Sequence, residues 1–223
     1  SDFSCMPSVV LEGRRVVNNI QRSASLFLVK NMFSFLLAIF SAVFMITYPL
    51  EPSQVSLISM FTIGVPAFFL ALEPNKSMIK GHFLTNVFLK ALPAALTDVL
   101  AVGAVVVFGE TFGVNATDIS TAATMLLAIV GFMILYRISR PMNKIRVAVL
   151  LLCICALLFC STVLNKLFAI TGMSAECIML FVVFSIATEP VLRYLTMFVR
   201  KLKYFYDRIR RNLVLGKEAK EEG

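Results

Sequence analysis

Residues 8–47 read SVVLEGRRVVNNIQRSASLFLVKNMFSFLLAIFSAVFMIT, and this stretch decides the fold. Its first half, 8–22, is polar and basic; its second half, from Ala24, is an apolar run long enough to cross a bilayer, which takes about 20 residues. No Pro occurs between them, and no Gly after Gly13, so nothing in the sequence stops a helix at the change of polarity. The spacing predicts one helix over 8–47, about 60 Å long at about 1.5 Å per residue. That is about twice the hydrocarbon thickness, so the polar half should project from the membrane as a stalk. An interfacial helix that turns along the surface near Arg22 is the alternative.

Working outward, five more apolar runs follow near 55–73, 84–109, 119–137, 145–166 and 175–199. They are continuous, whereas strands of a membrane barrel are about 10 residues long and alternate in polarity. The expected fold is therefore all-α: a polytopic membrane protein of six transmembrane helices, the first extended into a cytoplasmic stalk. The organisation read from polarity is stalk entry 1–23, six-helix transport domain 24–199 and basic tail 200–223. The first ten residues carry no signal-peptide pattern and no initial Met, and read as an interior piece of a longer polypeptide.

Composition agrees. The chain has 223 residues, 59% hydrophobic and 15% charged, with 20 Phe and 11 Met, and a mean hydropathy of +0.86. Soluble domains are nearer about 25% charged, and disordered chains are polar and poor in aromatics. The net charge of +8 would raise nucleic acid as a partner in a soluble protein. Here the charge falls in short loops and at the ends, which fits topology signals beside anionic lipid and not a nucleic-acid groove. Arg14, Arg15, Arg22, Lys76, Lys80, Arg137, Arg140, Lys144, Arg146 and the tail basics form one set. The loops at 48–54, 110–118 and 167–174 hold Glu51, Glu110 and Asp118 and no Lys or Arg. The positive-inside rule makes the first set cytoplasmic, with both termini inside a plasma membrane. Lys166, at the outer end of the fifth run, is expected to snorkel. The five cysteines show no CxxC and the sole histidine is His82, so a zinc site is not expected; buried free thiols are.

Two motifs carry a resemblance. Glu12-Gly13-Arg14-Arg15-Val16-Val17-Asn18-Asn19, leading into Leu28-Val29-Lys30-Asn31, resembles the fifth-helix stalk of P-type cation-transporting ATPases. Phe61-Thr62-Ile63-Gly64-Val65-Pro66-Ala67-Phe68-Phe69-Leu70-Ala71-Leu72-Glu73-Pro74-Asn75 is similar to their sixth helix and the loop after it, in a form most like bacterial pumps, including a group linked to calcium uptake. The resemblance implies helices five to ten of such a pump, a transported divalent cation such as calcium, and coupling through Gly13, Arg14, Asn18 and Asn19 to upstream domains. It implies ATP and Mg²⁺ as cofactors of the longer protein and none in this piece. The aspartyl-phosphate motif and nucleotide domain are not in this sequence, so catalysis of ATP hydrolysis would lie elsewhere. A secondary transporter or a membrane scaffold without ATP coupling is the alternative function, though no inverted repeat supports the former.

Ionisable and polar side chains inside spans nominate the ion path. Asn31 and Ser34, three apart, share a helix face, as do Ser59 and Thr62. The resemblance implies that Asn31 and Thr62 are cation ligands facing one another, and that Ser34 and Ile63 stand where calcium pumps carry carboxylates. A doubly charged ion prefers carboxylate and carbonyl oxygens, so at most one site is expected, with the fourth helix supplying its acid. Helix–helix hydrogen bonding is the other role open to Asn31 and Thr62. Lys30 lies about 9 Å into its run. It either acts as a built-in cation, as the resemblance to proton–potassium pumps implies, or snorkels to the interface. Asp98, about 21 Å deep, should face the bundle interior, either with Lys30 or Lys90 as partner or neutral by desolvation. Gly64 and Pro66 should interrupt the second span and free the Thr62 carbonyl for a cation. Glu189 and Arg193 have the favourable i,i+4 order for a helical ion pair, and the tail should lie along the inner leaflet.

Overall fold

The computed structural model describes residues 5–72 and 83–221. Among them every regular element is helical, and six helices are long and apolar enough to cross a membrane. In chain order they are α1 (Met6–Phe44), α2 (Pro52–Leu72), α3 (Phe83–Thr111), α4 (Ala116–Ile138), α5 (Lys144–Val163) and α6 (Ala175–Glu221). The expected features at Glu73, Pro74, Asn75, Lys76, Lys80 and His82 lie outside the described residues, as do those of the Arg210 and Arg211 side chains.

Helix α1 runs unbroken for 39 residues, with Pro7 in its first turn, a position where the missing N–H costs nothing. There is no turn near Arg22, so the surface-helix alternative fails. The helix stops at Phe44, three residues before the expected end, because Met45 takes a left-handed conformation (φ 55°) and its N–H closes on the Ser41 carbonyl. That is a capping geometry that ends a helix. The chain then doubles back, and Leu50 packs into the cluster holding Phe33 and Leu37.

Helix α2 opens three residues earlier than expected. Glu51 is its N-cap, Pro52 its first residue and Gln54 its third, forming a reciprocal capping box in which the Glu51 N–H donates to Gln54 Oε1 at 3.0 Å. Gln54 also ties three elements together. Its Nε2 donates to the Ala169 carbonyl at 2.9 Å and its Oε1 accepts from Ser120 at 2.7 Å. The loop between α5 and α6 is thereby held on α2 and α4, with Asp118 accepting from the Ser174 N–H at 2.9 Å and Thr121 accepting from the Thr171 N–H at 3.1 Å.

The interior is α3. It packs on α1, α4 and α6 and presents Ala91, Ala94, Ala95, Val102 and Val105, each no more than 1% exposed. Small side chains let helix backbones approach closely where no water drives association. Helix α5 lies at the periphery, its start fixed by Asn143 accepting from the Arg146 N–H (2.8 Å) and by the Arg146 guanidinium donating to the carbonyls of Ser139 (2.9 Å) and Pro141 (2.7 Å).

The polarity boundary at 23–24 falls inside α1, as one helix over 8–47 requires, and α6 likewise runs through 199–200 to Glu221. Several expectations are corrected. Glu189 does not pair with Arg193; its carboxylate lies 3.9 Å from Arg137 of α4, so the contact joins two helices. Lys166 sits in the loop beyond Val163 and is exposed. Cys153 and Cys177 are buried free thiols, but Cys5 and Cys155 are exposed and Cys160 half-buried.

Candidate ion-binding cavity

The four helices α1–α4 line a half-open cavity of about 50 Å³, with Lys30, Ser59, Thr62 and Asp98 set in an otherwise mainly aliphatic and aromatic wall. One water needs about 10–15 Å³ of such volume, so the space holds a cation with a few waters or a small water cluster.

Each polar group reaches it for a local reason. Lys30 projects from the α1 face that also carries Leu26, Val29 and Phe33. Asp98 comes from α3, one turn beyond Pro93, and is 5% exposed. Its Oδ1 is buried and has no hydrogen-bond partner. No cation lies within 4.0 Å of it among the described residues: the expected ion pairs with Lys30 and Lys90 are not made, and Lys90 is exposed. Lys30 and Asp98 thus face one cavity without touching. A carboxylate oxygen so placed costs ~1–3 kcal/mol or more unless something completes its hydrogen bonding.

Ser59 and Thr62 come from a widened turn. Met60–Gly64 is π-helical, with the Val65 N–H bonding to the Met60 carbonyl five residues back. The expected break at Gly64 and Pro66 is therefore a π turn and not an unwound segment. Pro66, lacking an N–H, has none to give the preceding turn, and the extra residue of a π turn absorbs the mismatch. Such turns occur singly within α-helices and frequently at functional sites. Thr62 is 3% exposed and its hydroxyl donates to the Ile58 carbonyl at 2.8 Å; the Ser59 hydroxyl donates to the Val55 carbonyl at 2.6 Å. Both oxygens keep lone pairs for a ligand.

Asn31 is not in the cavity. It is exposed on α1, on the same side as Phe27 and Phe35. Successive helical residues are turned about 100° apart, so a face that presents Lys30 turns Asn31 away, and Asn31 does not face Thr62. Ser34 does not line the cavity either; it is half-buried and shares a hydrogen bond with Tyr48. Burial raises the Tyr48 phenol above its ordinary value, the Ser34 bond opposing that shift.

In the stalk, Asn19 is buried and its Nδ2 donates to the Ala71 carbonyl at the end of α2, at 2.9 Å. Asn18 and Arg14 are half-buried, and Gly13 is exposed in open space. The sequence reading missed two groups. Gln54 was marked by its three-residue spacing from Glu51, a capping-box signature. Gly131 of α4, which lines the cavity against Thr62, was marked only by being a small residue inside an apolar run.

No protein-family profile matches the chain. Curated relatives do. The probable cation-transporting ATPase exp7 of Streptococcus pneumoniae is 39% identical over 155 residues, 66% of this chain and 20% of that protein. The calcium-transporting ATPase CtpE of Mycolicibacterium smegmatis is 36% identical over 170 residues, 70% of this chain and 21% of that protein. Its counterpart in Mycobacterium bovis is 34% identical over 165 residues, 67% and 20% respectively. The chain spans about a fifth of the length of the curated relatives it matches. With six membrane-crossing helices and these relatives, the chain is a multi-pass membrane protein that belongs to the P-type cation-transporting ATPases.

Proposed function

We propose that this chain is the ion-binding membrane part of an ATP-driven cation pump, and that the cavity between α1 and α4 is where the cation rests. The observation that carries this is the buried Asp98 carboxylate with an oxygen left without a partner, opening on a cavity shared with Lys30, Ser59 and Thr62. An unsatisfied acid at membrane depth is tolerated where an ion or proton completes it. The names of the relatives support a cation as cargo, and two of the three name calcium. Calcium takes six to eight oxygens. Asp98, Ser59 and Thr62 supply three groups, so the rest of the shell comes from water and from elsewhere in the complete polypeptide. A single carboxylate set against the Lys30 ammonium favours one ion per cycle.

Hydrolysis of ATP with Mg²⁺ is assigned to domains outside these residues. Their motion reaches the cavity through α1, which runs unbroken from the stalk to Lys30, and through the Asn19 bond to the end of α2. The basic loops put both termini on the cytoplasmic side of the cell membrane. The test is ATPase activity of the complete polypeptide in proteoliposomes, titrated separately with Ca²⁺, Mn²⁺, Mg²⁺ and K⁺. Asp98→Asn abolishes the cation response, and Lys30→Met changes the half-saturating concentration. A wild-type cation profile in both variants refutes the cavity as the site.

A further inference from the structure

The Cβ that Gly131 lacks would lie 2.8 Å from Thr62 Cγ2, 3.0 Å from its Cβ and 3.3 Å from its Oγ1. Two other glycines are met about as closely, Gly103 by the Phe40 ring at 3.0 Å and Gly109 by Cδ1 and Cγ1 of Ile119 at 2.8 Å. Gly131 differs in two ways. The atoms it meets belong to a cavity-lining residue, and that residue sits inside the π turn Met60–Gly64. Thr62 cannot yield by rotation. It is β-branched and stiff at χ1, its hydroxyl is committed to the Ile58 carbonyl at 2.8 Å, and one of the atoms in contact is its own Cβ. A side chain on residue 131 would therefore move the π turn itself, or push α2 from α4. Either displaces the Thr62 oxygen within a space of only about 50 Å³.

We infer that Gly131 is a positioning residue for the cation site: its missing side chain lets α4 press on Thr62, fixing the hydroxyl in the cavity and setting which cation fits. This rests on the cavity being the ion site, as proposed above. Adding one carbon to a fitted pocket changes discrimination by about tenfold or more, and that is the expected scale here.

The experiment uses the complete polypeptide in proteoliposomes, with Ca²⁺ and Mn²⁺ as probes of ATPase activity. Gly131→Ala raises the half-saturating concentration of the stimulating cation about tenfold while the maximal rate holds. Thr62→Ser removes the methyl in the tightest contact and keeps the hydroxyl, so the double variant Gly131→Ala/Thr62→Ser returns toward wild type. A helix-packing role would lower the amount of folded protein without this second-site rescue of affinity. An unshifted half-saturating concentration, or a shift that Thr62→Ser fails to relieve, overturns the inference. If Gly131→Ala does not accumulate, Thr62→Ser alone carries the test: releasing the hydroxyl from the α4 contact changes the ratio of half-saturating Ca²⁺ to Mn²⁺, and an unchanged ratio overturns the inference. Asp98→Asn is assayed in parallel. If it abolishes the cation response and Gly131→Ala shifts nothing, only the role of Gly131 fails. If Asp98→Asn behaves as wild type, the ion-site reading fails and the role of Gly131 falls with it.

Discussion

At Asp98 stability and the proposed function pull in opposite directions. A carboxylate 5% exposed, with Oδ1 unpartnered, is held at a cost. Asp98→Asn keeps the shape and removes the charge. Thermal unfolding of the purified protein without added cation is expected to give an unchanged or higher midpoint, gaining up to about 2 kcal/mol, even as the cation response disappears. A clear fall in midpoint would mean that Asp98 holds a structural partner, against its place in the cavity. The sequence singled out Asp98, Lys30, Ser59 and Thr62 because a polar group at membrane depth has few reasons to be there, and the four converge. Asn31 had the same credentials and lies elsewhere. Which of two adjacent residues faces inward depends on the phase of α1 against α2 and α3, which are tens of residues away in sequence. Gly131 matters only through what touches it, and no local pattern records that.

Among the elements, α2 is set from both ends. Its first turn is fixed by the Glu51–Gln54 box and its last by the bond from Asn19 to the Ala71 carbonyl; the π turn lies between. Apolar length made the helices themselves legible, to within a few residues at most ends. The ends that moved did so through capping at Met45 and Glu51, and the long tail of α6 kept its helix although its polarity changed. Gln54 is the most connected of these groups, being 1% exposed and bonded to the Glu51 N–H, Ser120 and the Ala169 carbonyl. Gln54→Leu fills similar space but strands three polar partners. At ~1–3 kcal/mol for each group left buried and unsatisfied, with some recovered by water, the expected loss is about 3 kcal/mol. For a chain of this size that is a fall of about 6–12 °C in the thermal midpoint, read by the loss of folded protein on heating in detergent. A midpoint within error of wild type would show that the α5–α6 loop is held by the Asp118 and Thr121 contacts alone.

Across the whole molecule, the proposed orientation has six crossings that bring both termini to the cytoplasmic side, and it rests on the charges. Arg14, Arg15, Arg22, Arg137, Arg140, Lys144 and Arg146 cluster at the ends of helices on that side, while Glu51, Glu110 and Asp118 mark the other. Each Lys or Arg near an anionic leaflet is worth about 1 kcal/mol, so seven of them outweigh the lone exception, Lys166. That residue is exposed in the α5–α6 loop, where α2 and α4 hold it at the end of the bundle opposite the stalk. Two reporters test the orientation without disturbing the cavity. Cys5 is a native exposed thiol at the start of α1. With the other four cysteines replaced by Ala, a membrane-impermeant maleimide should label Cys5 only after right-side-out vesicles are opened. With all five replaced and Lys166→Cys introduced, the same reagent should label intact vesicles. Labelling of Cys5 in intact vesicles and of residue 166 only in opened ones would invert the protein and place the stalk outside. ATP-dependent domains could not then drive α1 from the cytoplasm. Labelling of both sites from one side would mean an even number of crossings between residues 5 and 166, and one of the five helices α1–α5 would have to lie out of the membrane.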